Sequence, residues 1–328
     1  MISGVRQNYR VLLPGLLLAA SSLVVLAFLG NLNEVSLFFS NFKWEYFGLA
    51  IAINIFHHAV RFLNLSLSLN FAGIKSIPFR KRLTFYLSSS ALNAADQRIN
   101  DTIKSVWVSK TCGIPLNRTG SAFLTDDISR SITVLVLAIL GVIAYPNFWP
   151  LFLALLCFFI LMILFLQIQP AGDDLLDAGE KIPSLRQMIL RLRAMFADNR
   201  AMFRPIPFAI SMLLNILAWI AMAVALFFIL LGLGLPADLA IAAIACLVLG
   251  FAIIAGMLSK MPGGLGVVEL ALAGLLSILL GYQPEMAVTA TILFRLSTFW
   301  ISLLFGILFW PTAAKSCSVE AGSAIVQS

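Results

Sequence analysis

Long, nearly uncharged runs recur along the chain, separated by clusters of Lys and Arg. Residues 11–30, 46–70, 119–144, 147–168, 206–232 and 285–310 each reach the ~20 residues that carry a helix across a bilayer. The first run extends uncharged from Val11 to Asn33, longer than a signal-peptide core, and predicts an uncleaved span. Pro14 near its start suits the first turn of a helix. Trp44 and Tyr46, Tyr145 and Trp149, Tyr282 and Trp310 stand at run ends, the headgroup level where amphipathic rings belong.

Two stretches break this pattern. Residues 83–112 begin apolar, pass through Asn93-Ala-Ala-Asp-Gln-Arg-Ile-Asn-Asp101, and turn semi-apolar again. Residues 83–95 are too few to cross, so this stretch predicts a hairpin that enters and leaves on one side. Residues 239–281 form two apolar arms around Lys260 and Met261-Pro-Gly-Gly-Leu-Gly266, and either two full spans or a hairpin fits them. The glycines permit a tight turn and close backbone approach. Backbone freed by such a break must face protein or a watery cavity, because lipid satisfies none of it.

Composition removes the soluble alternative. Of 328 residues, 61% are hydrophobic and 11% charged, and the mean hydropathy is +0.99. A soluble domain carries about a quarter charged residues. The net charge of +7 sits in dispersed inter-span clusters, which form no stripe for tracking a nucleic-acid backbone. Arg6 and Arg10, then Lys75, Arg80, Lys81 and Arg82, then Lys110 and Arg118 fall on one side by this count. The loop 169–205 and Lys315 fall there too, against Lys43 on the other side, so both termini are expected in the cytoplasm. The loop opens acidic at Asp173, Asp174, Asp177 and Glu180 and becomes a short basic amphipathic helix from about Ser184 to Ala197. That helix either lies on the anionic inner leaflet or is a solvated connector. Cys112, Cys157, Cys246 and Cys317 have no metal-ligand or redox spacing.

Polar residues inside the runs are the candidate chemistry, since ionised groups at mid-bilayer cost about 2.5–3.5 kcal/mol on insertion scales. In the second run Asn54, His57 or His58, Arg61, Asn64 and Ser68 share one helical face, which predicts an inward-facing polar stripe. Arg130 has Asp126 and Asp127 within one turn, the spacing of a local ion pair. Arg295 has no acid within four residues, and Glu269 is the obvious partner. Such a pair either locks the fold or borders a polar cavity for a lipid headgroup, where guanidinium suits phosphate. No Ser/His/Asp set, Walker loop or nucleotide fingerprint is present, and no cofactor or metal is expected.

The two broken stretches also correspond to one another. With Asp101 placed on Glu269, Gly113 falls on Gly281. With three residues then dropped, 123–141 lies over 288–306, bringing Arg130 to Arg295, Thr133 to Thr298 and Gly141 to Gly306. By the charge count the copies run in opposite senses, and inverted repeats with broken helices are the usual build of secondary transporters.

The run Met261-Pro-Gly-Gly-Leu-Gly-Val-Val-Glu269, with Gly281 and Phe294-Arg295-Leu296, resembles the transmembrane, flippase-like domain of the lysylphosphatidylglycerol synthase family. There the pattern is Pro-Gly-Gly-x-Gly-x-x-Glu followed by an arginine in the next span. The resemblance implies translocation of a lipid between leaflets, with Pro262, Gly263, Gly264, Gly266, Glu269 and Arg295 near the headgroup path. Arg130, Arg98, Asp101, Lys104, His57 and Arg61 complete the candidate path. The first repeat departs from the family: Asp96-Gln97-Arg98 stands where a second Pro-Gly element is usual, and only Asp101 and Lys104 resemble the acid and base after it. Larger relatives append a soluble aminoacyl-transferase domain, and its lack here argues against synthesis of the lipid.

The expectation is therefore an all-α, polytopic membrane bundle, one domain over 1–328, with repeat one at about 46–144, the loop 169–205 and repeat two at about 206–310. Its expected place is the bacterial inner membrane. Its expected partner is a lipid with a polar or anionic headgroup (an aminoacylated phospholipid, hopanoid or glycolipid), with lipid-biosynthesis enzymes as further partners. The alternatives are a membrane-embedded glycosyl- or acyl-transferase, motivated by Asp96, Asp101, Asp126 and Asp127, and a scaffold for lipid synthesis.

Overall fold

The computed structural model describes residues 31–74, 77–90, 104–109, 113, 116–142, 149–150, 153, 157, 205–259, 261–281 and 284–309. Its elements are α1 (Leu32–Asn41), α2 (Trp44–Phe71), α3 (Phe79–Ser89), α4 (Leu116–Val142), α5 (Pro205–Gly232), α6 (Leu239–Ser259), α7 (Val267–Leu280) and α8 (Pro284–Phe309). A helical turn at 104–109 is also described, and no strand occurs among the described residues. The predicted span 11–30, nearly all of 147–168, and the loop 169–205 up to Pro205 lie outside them.

Four helices, α2, α5, α6 and α8, are long and apolar enough to cross a membrane. The protein is an all-α, multi-pass membrane protein. Helix α4 has the length, roughly 40 Å at the helical rise per residue, but Asp126, Asp127 and Arg130 fall within it. The two arms of 239–281 prove unequal: α6 has 21 residues and α7 only 14. At the helical rise α7 measures roughly 21 Å against a hydrocarbon core of ~30 Å. Helix α1 occupies a connection expected to be a short loop. Its Val35 and Phe39 recur at helical spacing and pack on Ala273, Val288 and Ile292.

Local chemistry sets the ends. Asn31 Oδ1 accepts from the Asn33 amide at 3.2 Å, and Asp238 Oδ1 from Ile241 at 2.8 Å, capping α1 and α6. Helices α2 and α5 close alike: Ile74 N donates to Leu69 O at 2.8 Å and Leu235 N to Leu230 O at 3.2 Å.

Helix α2 lies along α5; α4 packs on α5 and α6, α6 on α7, and α7 on α8. Leu137, Leu226, Ile229, Leu247, Leu249, Leu272 and Phe294 form the buried centre. Between α4 and α6 the backbones meet through small residues. Gly141 lies on Leu247, and a Cβ on Gly250 would come 2.6 Å from that of Ala138. Lipid is as apolar as leucine, so such close contact is what holds membrane helices together. The outward surface stays apolar: Leu213 is 66% exposed and Leu308 70%.

Candidate functional site

Helices α2 to α8 and the Pro-Gly-Gly turn line a half-open cavity of about 430 Å³. Its polar lining is Asn54, His57, His58 and Arg61 from α2, Tyr86 from α3, Lys104, Asp127 and Arg130, and Arg295, Thr298 and Ser302 from α8. Its apolar lining is Met222 from α5, Leu249, Ile253 and Met257 from α6, Val268 from α7 and Phe294 from α8.

The turn forms part of this cavity because three of its glycines, Gly263 (φ 60), Gly264 (φ 66) and Gly266 (φ 83), take positive φ, where an L side chain is strained. A Cβ at Gly264 would also lie 2.7 Å from Val268 Cγ2 and 3.3 Å from Gly256 Cα. The turn is tied to α8 through one carboxylate. Glu269, only 1% exposed, accepts from the Gly266 amide with Oε2 at 2.7 Å and from Arg295 Nε with Oε1 at 2.6 Å. Arg295 Nη2 lies 2.5 Å from the same Oε1, so the guanidinium pairs with the carboxylate along its Nε–Nη2 edge. The guanidinium sits 4.4 Å from the Phe299 ring centre.

Directly after Arg295, α8 widens into a π-helical segment, Leu296–Trp300. Widening breaks the ordinary i→i−4 ladder and frees carbonyls. Asn54 Nδ2 donates to Ser297 O at 3.1 Å and, at 3.3 Å, to Thr298 O, which Ile301 N and Ser302 Oγ also share. One amide thereby satisfies backbone that lipid could not.

A second polar centre joins α2, α4 and α5. Arg61 meets Asp126 with two parallel bonds of 3.2 and 3.1 Å. Asn64 Nδ2 donates to the same carboxylate at 2.6 Å, and Asn215 bonds Arg61 and Asp126. Asn215 continues to Ser129 at 2.7 Å, which meets Ser211 at 3.1 Å. The local ion pair expected at Arg130 forms with Asp127. Asp126 turns to Arg61 instead, because α2 packs against that side of α4 and brings a second guanidinium. Asn215 and Ser211 were missed; the sole hint is an asparagine and a serine four apart in an otherwise apolar run.

The sequence-predicted residues thus converge. Gly263, Gly264, Arg295, Arg130, Lys104, His57 and Arg61 border one cavity, Glu269 stands behind Arg295, and Pro262 and Gly266 belong to the turn. Arg98 and Asp101 lie outside the described residues. Among the described residues four cations (Arg61, Lys104, Arg130, Arg295) border the cavity, against three acids on it or behind it (Asp126, Asp127, Glu269). No three His, Cys, Asp or Glu side chains converge among the described residues.

Residues 12–306 match the family model described as the lysylphosphatidylglycerol synthase TM region. The chain belongs to that family. No curated protein matches it. The match covers the Pro-Gly-Gly turn, Glu269 and Arg295, which the fold brings into contact across α7 and α8. In this lysylphosphatidylglycerol synthase TM-region protein, four cations and a set of apolar side chains line the same cavity.

Proposed function

We propose that the protein is a translocase that carries an amphipathic lipid with an anionic headgroup between the two leaflets. The observation behind this reading is the mixed lining of one cavity: guanidinium groups from α2, α4 and α8 together with Met, Leu and Ile from α5 and α6, among helices of membrane-crossing length. A phosphodiester would meet Arg295 on the side away from Glu269, and acyl chains would lie along α6. Asp126 and Asp127 are engaged by Arg61 and Arg130, which makes them poor metal ligands for a transferase.

The reading places the protein in the bacterial inner membrane, termini in the cytoplasm, with two opposed repeats whose arginines, Arg130 and Arg295, reach one cavity. The broken elements are read as re-entrant. Helix α7 is too short to cross, and Phe85 stacks on Trp107 with ring centres 3.9 Å apart, which lays 79–89 beside 104–109.

The test separates where a lipid sits from which lipids exist. In a deletion strain, outer-leaflet exposure of an anionic lipid should fall while total lipid composition stays unchanged. Arg295→Ala should behave like the deletion. Unchanged leaflet distribution overturns translocation, altered lipid composition favours a transferase, and full rescue by Arg295→Ala leaves a scaffold.

A further inference from the structure

The neighbouring histidines of α2 are held in opposite tautomers. A backbone carbonyl only accepts, so His57 Nδ1, 2.8 Å from Ala218 O, carries the proton and leaves the neutral ring a lone pair on Nε2. Ser302 gives its hydroxyl proton to Thr298 O at 2.6 Å, so it accepts from His58 Nε2 at 2.6 Å. His58 Nδ1 must then accept from the Tyr86 hydroxyl at 3.0 Å. Both nitrogens of His58 are consumed within the protein. His57 Nε2 has no hydrogen bond among the described residues, although the ring borders the cavity and is fixed edge-on against His58 and Trp219. An acceptor left facing a membrane cavity is costly unless something donates to it.

Across the same cavity stands Arg295, a donor-only guanidinium whose Nε and Nη2 face Glu269 while the residue still lines the cavity. Helix α8 thus presents donors and α2 presents an acceptor. We propose that His57 is a specificity-determining residue, selecting among phosphate-bearing headgroups held through Arg295 those that also carry a hydrogen-bond donor, a hydroxyl or an ammonium. The proposal rests on the translocase reading and narrows its substrate class. A lipid whose headgroup ends in a methyl or a quaternary amine leaves Nε2 unpaired and is disfavoured.

The test uses the purified full-length protein and soluble short-chain lipids in two matched pairs. Phosphatidylglycerol against phosphatidylmethanol keeps the charge and removes the hydroxyl; phosphatidylethanolamine against phosphatidylcholine keeps the charge and removes the N–H groups. Calorimetric titration should find a roughly tenfold preference for the donor-bearing member of at least one pair, the worth of one well-placed hydrogen bond. The pair affected tells hydroxyl from ammonium. His57→Asn keeps a donor where Nδ1 stands but has nothing at Nε2, and should lose the preference. His57→Gln keeps an acceptor where Nε2 stands, and should retain it. Equal affinities within both pairs for the native protein, or a preference that persists in His57→Asn, overturn the proposal. Arg295→Gln separates the two claims. If it weakens all four lipids while the native protein shows no preference, His57 alone is wrong; if it weakens none, the headgroup reading of the cavity fails with it.

Discussion

At the residue scale, what distinguishes the charged pairs is how completely each is sealed. Glu269 and Arg295 are almost wholly buried, Arg61 and Asp126 have side chains 15% and 19% exposed, and Asp127 is 45% exposed beside Arg130. Removing one partner of a buried pair strands the other, at a cost of about 3–5 kcal/mol. Arg130 is buried too, but it has a further contact besides its half-exposed Asp127, so loss of that acid strands it less. Asp126→Ala also takes the acceptor from Asn64 and Asn215. It should therefore lower the melting temperature in detergent by much more than Asp127→Ala, as followed by fluorescence-detected size exclusion. Equal losses would mean that Arg61 finds another partner and that the α2–α4–α5 centre is not structural.

At the element scale, the connection from α6 through the turn to α7 depends on backbone that only glycine adopts cheaply. Gly264 has φ +66 and packs on Gly256, whereas Gly274 in α7 is helical with open space where a Cβ would go. Gly264→Ala should cost on the order of 1–2 kcal/mol from the left-handed conformation, and more from the crowded Gly256 backbone. Gly274→Ala should instead be neutral or stabilise by up to ~1 kcal/mol, since alanine is the better helix former. Thermal melting of both variants checks the contrast. A Gly264→Ala protein as stable as Gly274→Ala would show that the turn is not held in this conformation.

At the scale of the whole molecule, the length of α7 bears on topology. If α6 and α7 form a re-entrant pair, the chain before α6 and the chain after α7 lie on one side of the membrane. Cysteines placed at the exposed Ala237 and Pro284, in a protein whose native cysteines are replaced, should then react with a membrane-impermeant maleimide from the same side of intact cells. Labelling from opposite sides would mean that the segment crosses once, and would remove the opposed arrangement of the repeats. The interior is the polar part because the outward residues of α5 and α8, such as Leu213 and Leu308, are apolar, and charged groups in a membrane are stable only where helices supply partners for one another.

By itself, the sequence determined the class of molecule and the position of most helices, because uninterrupted apolar length is a local property that lipid reads directly. The spans at 46–70, 206–232 and 285–310 emerge within a residue or two as α2, Pro205–Gly232 and α8. The Glu269–Arg295 pair was legible for a related reason: an arginine deep in a span with no nearby acid needs a distant one. Tertiary structure alone decided which acid each of the other arginines takes, since helical spacing offers Asp126 to Arg130 and only the packing of α2 on α4 awards it to Arg61. The role of Asn54 was equally hidden, because the carbonyls it reaches lie in the π-helical segment of α8, far away along the chain. The free face of His57 required the whole bundle: its meaning comes from Ala218, Ser302 and Tyr86, three residues on three other helices. Spacing along a chain reports which side chains share a face; which partner uses each nitrogen or oxygen is settled only when the faces meet.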